Sequence, residues 1–373
     1  VSFEKMNKIF DFQPTEQSVK VQAGVITENL QNYAIDKKLY YPVDFAARGS
    51  SHIGGNIATN AGGIKVLKYG LTRDWVTSLT VVTGAGDILE LNNSLVKNAT
   101  GFDLRHLFIG SEGTLGFITE ATIKLTKPPE DLGVMILGVQ SLTDIMKIFA
   151  EYKLHTELLA FEMFSKKALT HVLAATGLQC PISADYPYYV LAEVQNINNG
   201  KALEVFENCL NQKLVLDGSL NQSEAQAKLF WRLREDITES LSQFSPYKND
   251  ISVTVHQVPE FIIELDSVLT SNYPDWDVVW FGHIGDGNLH ISILRPKDLT
   301  KEAFVKACRK VDELVFQTVA KYKGSISAEH GVGLTKKMFL QYTRSPQEIE
   351  YLKSIKKIFD PDLIINPGKL FDL

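Results

Sequence analysis

Two histidines, His283 and His290, stand seven residues apart in the segment Phe281-Gly-His-Ile-Gly-Asp-Gly-Asn-Leu-His290. Their separation by a Gly-Asp-Gly turn predicts a hairpin-like reversal that brings both imidazoles to one side of a strand pair. Farther along, Ser327-Ala-Glu329-His330-Gly331 offers a carboxylate and a third imidazole. Two histidines and one carboxylate that leave coordination positions open suit Zn²⁺, Mn²⁺ or Fe²⁺. The same pair also fits structural histidines beside a turn, and spacing alone leaves both readings open. Asp286 reads as a turn aspartate rather than a partner of a metal ligand. His52, His106, His155, His171 and His256 have no such context.

A second kind of chemistry is written in glycine. Residues 49–63 hold five glycines and two asparagines with almost no bulk, and residues 110–116 repeat the pattern on a smaller scale. Glycine permits positive φ and close approach of a backbone or ligand, and amides exposed by such turns form concavities for phosphate or flavin oxygens. Tight turns alone would also account for them. Neither stretch is a P-loop, because Gly63 is followed by Ile64 and Lys65, and neither has the GxGxxG spacing.

A third candidate is Arg234. Helical periodicity sets Leu229, Leu233, Ile237 and Leu241 on one face, with Arg234 and Thr238 four apart beside that stripe. A guanidinium there can hold a carboxylate through two parallel hydrogen bonds. It can equally form a surface ion pair with Glu235 or Glu239.

The elements that must position these groups fall into two styles. Up to about residue 128 the chain alternates short β-branched strands (19–24, 78–83, 116–119) with glycine turns, and one helix follows Gly24 with Thr27 as its cap. Pro128-Pro129 interrupts any ladder or helix and marks a domain boundary. Beyond it, strands at 134–137, 188–193, 252–255, 278–281 and 289–294 alternate with helices at 142–152, 201–210 and from Pro259. The class is α+β with a largely antiparallel sheet under helices. A final amphipathic helix, 345–359, with Ile349, Leu352, Ile355 and Ile358 on one face, leads into the tail Asn366-Pro-Gly-Lys369. The expected domains are 1–128, 129–334 and a C-terminal segment, 335–373, that returns to the first.

Composition narrows the function classes. The chain has 373 residues, 45% hydrophobic and 22% charged, with a net charge of −6. Its basic residues form no tract, so a nucleic-acid surface is not expected. Cys180, Cys209 and Cys308 lack CxxC spacing, which points to a reducing compartment rather than a disulfide framework. No apolar run is long enough to span a bilayer. The expected location is the cytoplasm, or a membrane periphery reached through a partner.

The 49–63 stretch, Leu67-Lys-Tyr-Gly70, Thr100-Gly-Phe-Asp-Leu104 and the segment 108–116 together closely resemble the FAD-binding domain of the vanillyl-alcohol-oxidase (PCMH-type) superfamily. Within it the resemblance is to the FAD-linked D-2-hydroxy-acid dehydrogenases and covers essentially the whole chain. It implies a PCMH-type FAD-binding domain followed by an α+β FAD-linked-oxidase C-terminal cap domain. It implies that Pro42, Asp44, Ser50, Ser51, Gly54, Gly55, Asn56, Thr59, Ala61, Gly62, Gly63, Glu112, Gly113, Thr114, Gly116 and Ile118 line FAD, joined from the tail by Asn366 and Lys369. His283, His290 and Glu329 become metal ligands, with zinc first and Mn or Fe as alternatives. His330 becomes the base that takes the hydroxyl proton, and Arg234, Thr238 and Lys248 become contacts to the substrate carboxylate. The family's upstream glycine-rich loop that cradles the pyrophosphate has no counterpart in this chain. Ser292 occupies a substrate-contacting position that is asparagine in the hydroxyglutarate enzymes.

The activity so implied is oxidation of a D-2-hydroxy acid, with D-2-hydroxyglutarate first and D-lactate or glycolate as alternatives, and hydride transfer to the flavin N5. The partners implied are an electron-transfer flavoprotein or a quinone as acceptor, and a second copy of the chain in a homodimer. A reading from another class is an inactive, truncated flavoprotein-like subunit. Metal-dependent hydrolysis leaves both glycine-rich stretches unexplained.

Overall fold

A computed structural model describes residues 1–373, which divide into two compact units: Val1–Pro128 with Glu329–Leu373, and Pro129–Ala328. The first crossing falls between the two prolines, and the return comes at Glu329, ahead of the expected 335. The class is α+β with antiparallel sheets throughout.

The first unit is built on strands β1 (Ile9–Gln13), β2 (Ser18–Gln22), β3 (Val76–Thr83), β4 (Ile88–Leu91) and β5 (Gly116–Lys124), in the order β1-β2-β5-β3-β4. Alternation along β3 and β5, shifted by one residue at a bulge on each strand, buries Val76, Leu79, Val81, Ile118, Ala121 and Ile123. Helices Thr27–Asp36 and Ile53–Thr59 supply Leu30, Ala34, Ile53 and Ile57 to the same core. Thr27 is not a cap, as expected, but the first helical residue; Ile26 precedes it without a side-chain cap. The Thr27 hydroxyl instead joins a buried chain, 2.8 Å from Ser51 Oγ and accepting from Asn56 Nδ2 at 2.6 Å.

The second unit holds β6 (Gly133–Val139), β7 (Glu157–Ser165), β8 (Tyr188–Gln195), β9 (Asp217–Leu220), β10 (Tyr247–Ser252), β11 (Val278–His283) and β12 (Asn288–Ile293). Their order is β10-β12-β11-β7-β8-β6-β9. β6 is buried along its whole length, as a strand covered on both faces must be. On one face Val134, Ile136, Phe164, Tyr189, Leu191, Val279 and Phe281 pack with side chains from helices Lys166–Thr176, Glu224–Glu235 and Ile237–Ser242. The strand expected at 252–255 ends at Ser252, where the chain turns into a short 3₁₀ helix at Val255–Gln257. The stripe expected from Leu229 to Leu241 holds at Leu233, Ile237 and Leu241, but Leu229 is exposed and the helix is interrupted at Asp236. No helix is long and apolar enough to cross a membrane.

The C-terminal helix Pro346–Phe359 departs from its expected face. Ile358 is exposed, whereas Lys356 and the following Asp360 are buried. The Lys356 ammonium donates to Asp360, to the Thr114 carbonyl (2.6 Å) and to the Ile365 carbonyl (2.7 Å). Asp360 in turn accepts from the amides of Ile364 and Ile365. Burial alone would raise the Asp360 carboxyl, but Lys356 and these amides outweigh it and hold it below its usual value. A depressed carboxyl stabilises above the ordinary carboxylate range, and that contribution fades as pH falls through its lowered value. Replacing Lys356 by Ala leaves a buried carboxylate without its cation and is expected to cost about 3–5 kcal/mol in urea unfolding followed by circular dichroism. A loss under about 1 kcal/mol, the worth of an exposed pair, would contradict this account of the clamp.

Candidate active site

The hairpin β11–β12 carries the histidines. Gly287 closes its turn at φ +85°, where a Cβ would stand 2.0 Å from the Val253 carbonyl oxygen, so only glycine fits. Asp286 accepts the Asn288 amide at 3.0 Å, the bond of a turn aspartate. His283 pairs with Asn288, and His290 follows Asn288 by two residues, so both imidazoles share one face. Their rings lie 5.3 Å apart at 81°.

Register then identifies what stands behind each ring. β7 pairs with β11 through Phe164–Phe281 and Met163–Gly282, and the next step in that register sets Glu162 opposite His283. Glu162 Oε1 is 2.8 Å from His283 Nδ1. On the other side, β10 pairs Asp250 with His290, with Asp250 Oδ1 3.7 Å from Nδ1. That distance is too long for a hydrogen bond. Asp250 is itself held by Asn288 Nδ2 at 2.7 Å.

Arg234 meets this face from helix Glu224–Glu235. It is buried, with Nη2 2.9 Å from Glu162 Oε2 and its guanidinium carbon 5.1 Å from the centre of the Phe281 ring. The salt bridge lacks hydrogen-bond alignment, and Nε has no acceptor. Its partner is therefore neither Glu235 nor Glu239 but an acid from a distant strand. Ser292 is buried on β12 opposite Lys248 of β10 and, by alternation, on the face of His290. Lys248 and Thr238 are exposed.

Glu329 directly follows the last residue of the second unit. One ligand atom from each of His283, His290 and Glu329 lies within 4.8 Å of the others. Ligand atoms about 2.0–2.2 Å from a shared tetrahedral zinc would stand roughly 3.3–3.6 Å apart, a separation that this bound allows. Neutral nitrogens with one carboxylate oxygen fit a divalent metal of the Zn, Mn or Fe type.

In the first unit the two glycine-rich stretches are bonded to one another. The Glu112 amide donates to the Ala58 carbonyl at 2.7 Å and the Gly110 amide to the Ile57 carbonyl at 3.0 Å. The tail joins them, with Asn366 Nδ2 donating to the Glu112 carbonyl at 2.6 Å. Lys369 donates its amide to the Asn366 carbonyl at 3.4 Å. Residues expected to line FAD thus come from three stretches to one place. Around Gly55 there is open space where a Cβ would stand, whereas Gly63 is pressed to 2.0 Å from the Asp44 carbonyl oxygen.

Two side chains of that set have other work. Asp44 holds Arg48 through both oxygens (2.7 and 2.9 Å), and Glu112 accepts the amides of Val332 (2.6 Å) and Gly333 (2.7 Å). The Glu112 carboxylate therefore fixes the backbone immediately after His330, which is exposed.

The profile of the FAD linked oxidases, C-terminal domain, matches residues 128–370, and that of an FAD binding domain matches residues 1–92. The chain belongs to the FAD-linked oxidase family. It is a flavoprotein oxidoreductase by that membership. A D-2-hydroxyglutarate dehydrogenase of Stutzerimonas stutzeri (strain A1501) is 53% identical over all of this chain and 81% of its own length. One of Xanthomonas citri pv. viticola is 52% identical over all of this chain and 79% of its own. The p-cresol methylhydroxylase structure matches with a TM-score of 0.73 at 15% identity, over 99% of this chain and 79% of that one, which shows the shared fold.

Reading the family member's sequence alone missed Glu162, Asp250 and Lys356. Glu162 had a signal: it is the one acid within Leu158–Phe164, an otherwise apolar run, and an acid so placed must be paired. The left-handed Gly331 (φ +75°) links His330 to the segment held by Glu112, and a Cβ there would meet Glu112 Oε1 at 2.6 Å. Gly331→Ala is expected to lower stability by about 1–3 kcal/mol, measured by urea unfolding. An unchanged unfolding midpoint would show that Glu112 does not fix this segment.

Proposed function

We propose that this chain oxidises D-2-hydroxyglutarate to 2-oxoglutarate, using FAD and a divalent metal. The observation that carries the reading is the convergence of two imidazole nitrogens and a carboxylate oxygen within 4.8 Å, in a chain with two full-length relatives, 53% and 52% identical, that are named for that substrate. FAD held by the glycine-rich stretches would supply a hydride acceptor, and a divalent cation held by His283, His290 and Glu329 would supply positive charge that lowers the pKa of a nearby hydroxyl.

The protein's own groups do the rest. Arg234 and Lys248 bind carboxylate, Thr238 adds a hydroxyl, and Ser292 presents a short polar side chain beside them. The buried Nε of Arg234, which has no acceptor within the chain, favours an anionic ligand there, since a buried donor left unpaired is costly. His330 accepts the proton of the 2-hydroxyl. An electron-transfer flavoprotein or a quinone takes the electrons onward.

Anaerobic addition of D-2-hydroxyglutarate to the flavin-loaded protein should bleach its visible absorbance, with D-lactate and glycolate much slower. Bleaching by either of those but not by D-2-hydroxyglutarate would overturn the substrate assignment. Replacing His330 by Ala should lower kcat by about 10²–10⁴-fold while changing KM far less. Equal effects on both parameters would remove His330 as the base.

A further inference from the structure

We propose that Glu162 is the positioning residue of the metal centre: its two oxygens fix the tautomer of His283 and pin Arg234 beside it. The inference rests on the metal-assisted reading above and adds to it a residue that belongs to neither ligand nor substrate set.

A carboxylate can only accept hydrogen bonds. With Glu162 Oε1 2.8 Å from His283 Nδ1, that nitrogen carries the proton, and Nε2 is left with its lone pair for a cation. The other oxygen stands 2.9 Å from Arg234 Nη2. Glu162 is 1% exposed, and a charge so deeply buried persists only when compensated. Neither partner can leave without exposing that cost to the other.

The strand register makes the arrangement rigid. Glu162 lies opposite His283 across β7 and β11, under the helix that delivers Arg234. His290 has a weaker counterpart in Asp250, at 3.7 Å. Because one carboxylate serves both the metal ligand and the guanidinium, its loss should disturb metal affinity and substrate binding together.

Glu162→Gln keeps the shape and leaves the amide oxygen to accept from Nδ1, but removes the charge. In the flavin-loaded protein, metal affinity is measured by competition with a chelator, and the visible spectrum of the Co²⁺-substituted protein reports ligand geometry. We expect metal affinity to fall by about 10–100-fold, an altered Co²⁺ spectrum, and KM to rise more than kcat falls. Metal affinity within twofold of the parent protein, with His283→Ala losing the metal, would overturn the role of Glu162 and leave the metal reading intact. If His283→Ala binds metal as the parent does, the metal reading itself fails. Should the single variant not fold, the double variant Glu162→Gln with Arg234→Met removes both charges at once, and parental metal affinity in it would equally overturn the proposal.

Discussion

Burying the Glu162 carboxylate inside a sheet covered by helices is the constraint around which the second unit's polar groups are arranged. An ion taken out of water costs several kcal/mol, and here it is offset by an imidazole on one side and a guanidinium on the other. Those two partners come from a neighbouring strand and a covering helix, so strand register and helix packing must both be correct before the charges balance. Phe164 and Phe281 are buried in the hydrophobic cluster beside it, and an apolar surrounding strengthens each contact. Phe281 also lies between Arg234 and His290, with one ring face available to the cation and the imidazole ring 5.2 Å away. Polar function is thus set into a hydrophobic layer without leaving its charges unpaired.

The first unit solves a different problem with the same device. Loops made of glycine have little side-chain packing to hold them, and their conformational freedom must be removed by other means. Backbone bonds from 110–116 to 56–61 join the two glycine-rich stretches, and Lys356 reaches both Thr114 and Ile365 from the last helix. One buried ammonium therefore connects a glycine loop to the C-terminal tail. The Glu112 carboxylate extends this bonding to the segment after His330. Loops built from glycine thus gain their order from charges placed outside them.

Much of this was legible in residue types and spacing, and the limits have physical causes. The glycine turns, the antiparallel α+β pattern and the double-proline boundary follow from local chemistry, and the hairpin around Asp286-Gly287 follows from turn preference. Long-range partners were not legible. Glu162 lies 121 positions from His283, and only the pairing of β7 with β11 makes them neighbours. Local pattern also misled where burial follows charge rather than hydropathy: Lys356 faces inward and Ile358 outward because Asp360 and the carbonyls of Thr114 and Ile365 wait on the inner side. Thr27 was read as a cap from its type, whereas its hydroxyl serves a tertiary bond to Asn56.

The proposed catalyst depends on His283, His290 and Glu329 sharing one ion. X-ray absorption spectroscopy of the zinc-loaded protein tests this most directly. The account predicts a nitrogen and oxygen shell at about 2.0–2.2 Å with the scattering signature of two imidazoles, reduced to one in His290→Ala. A zinc shell that His290→Ala leaves unchanged, or one containing sulfur, would contradict it.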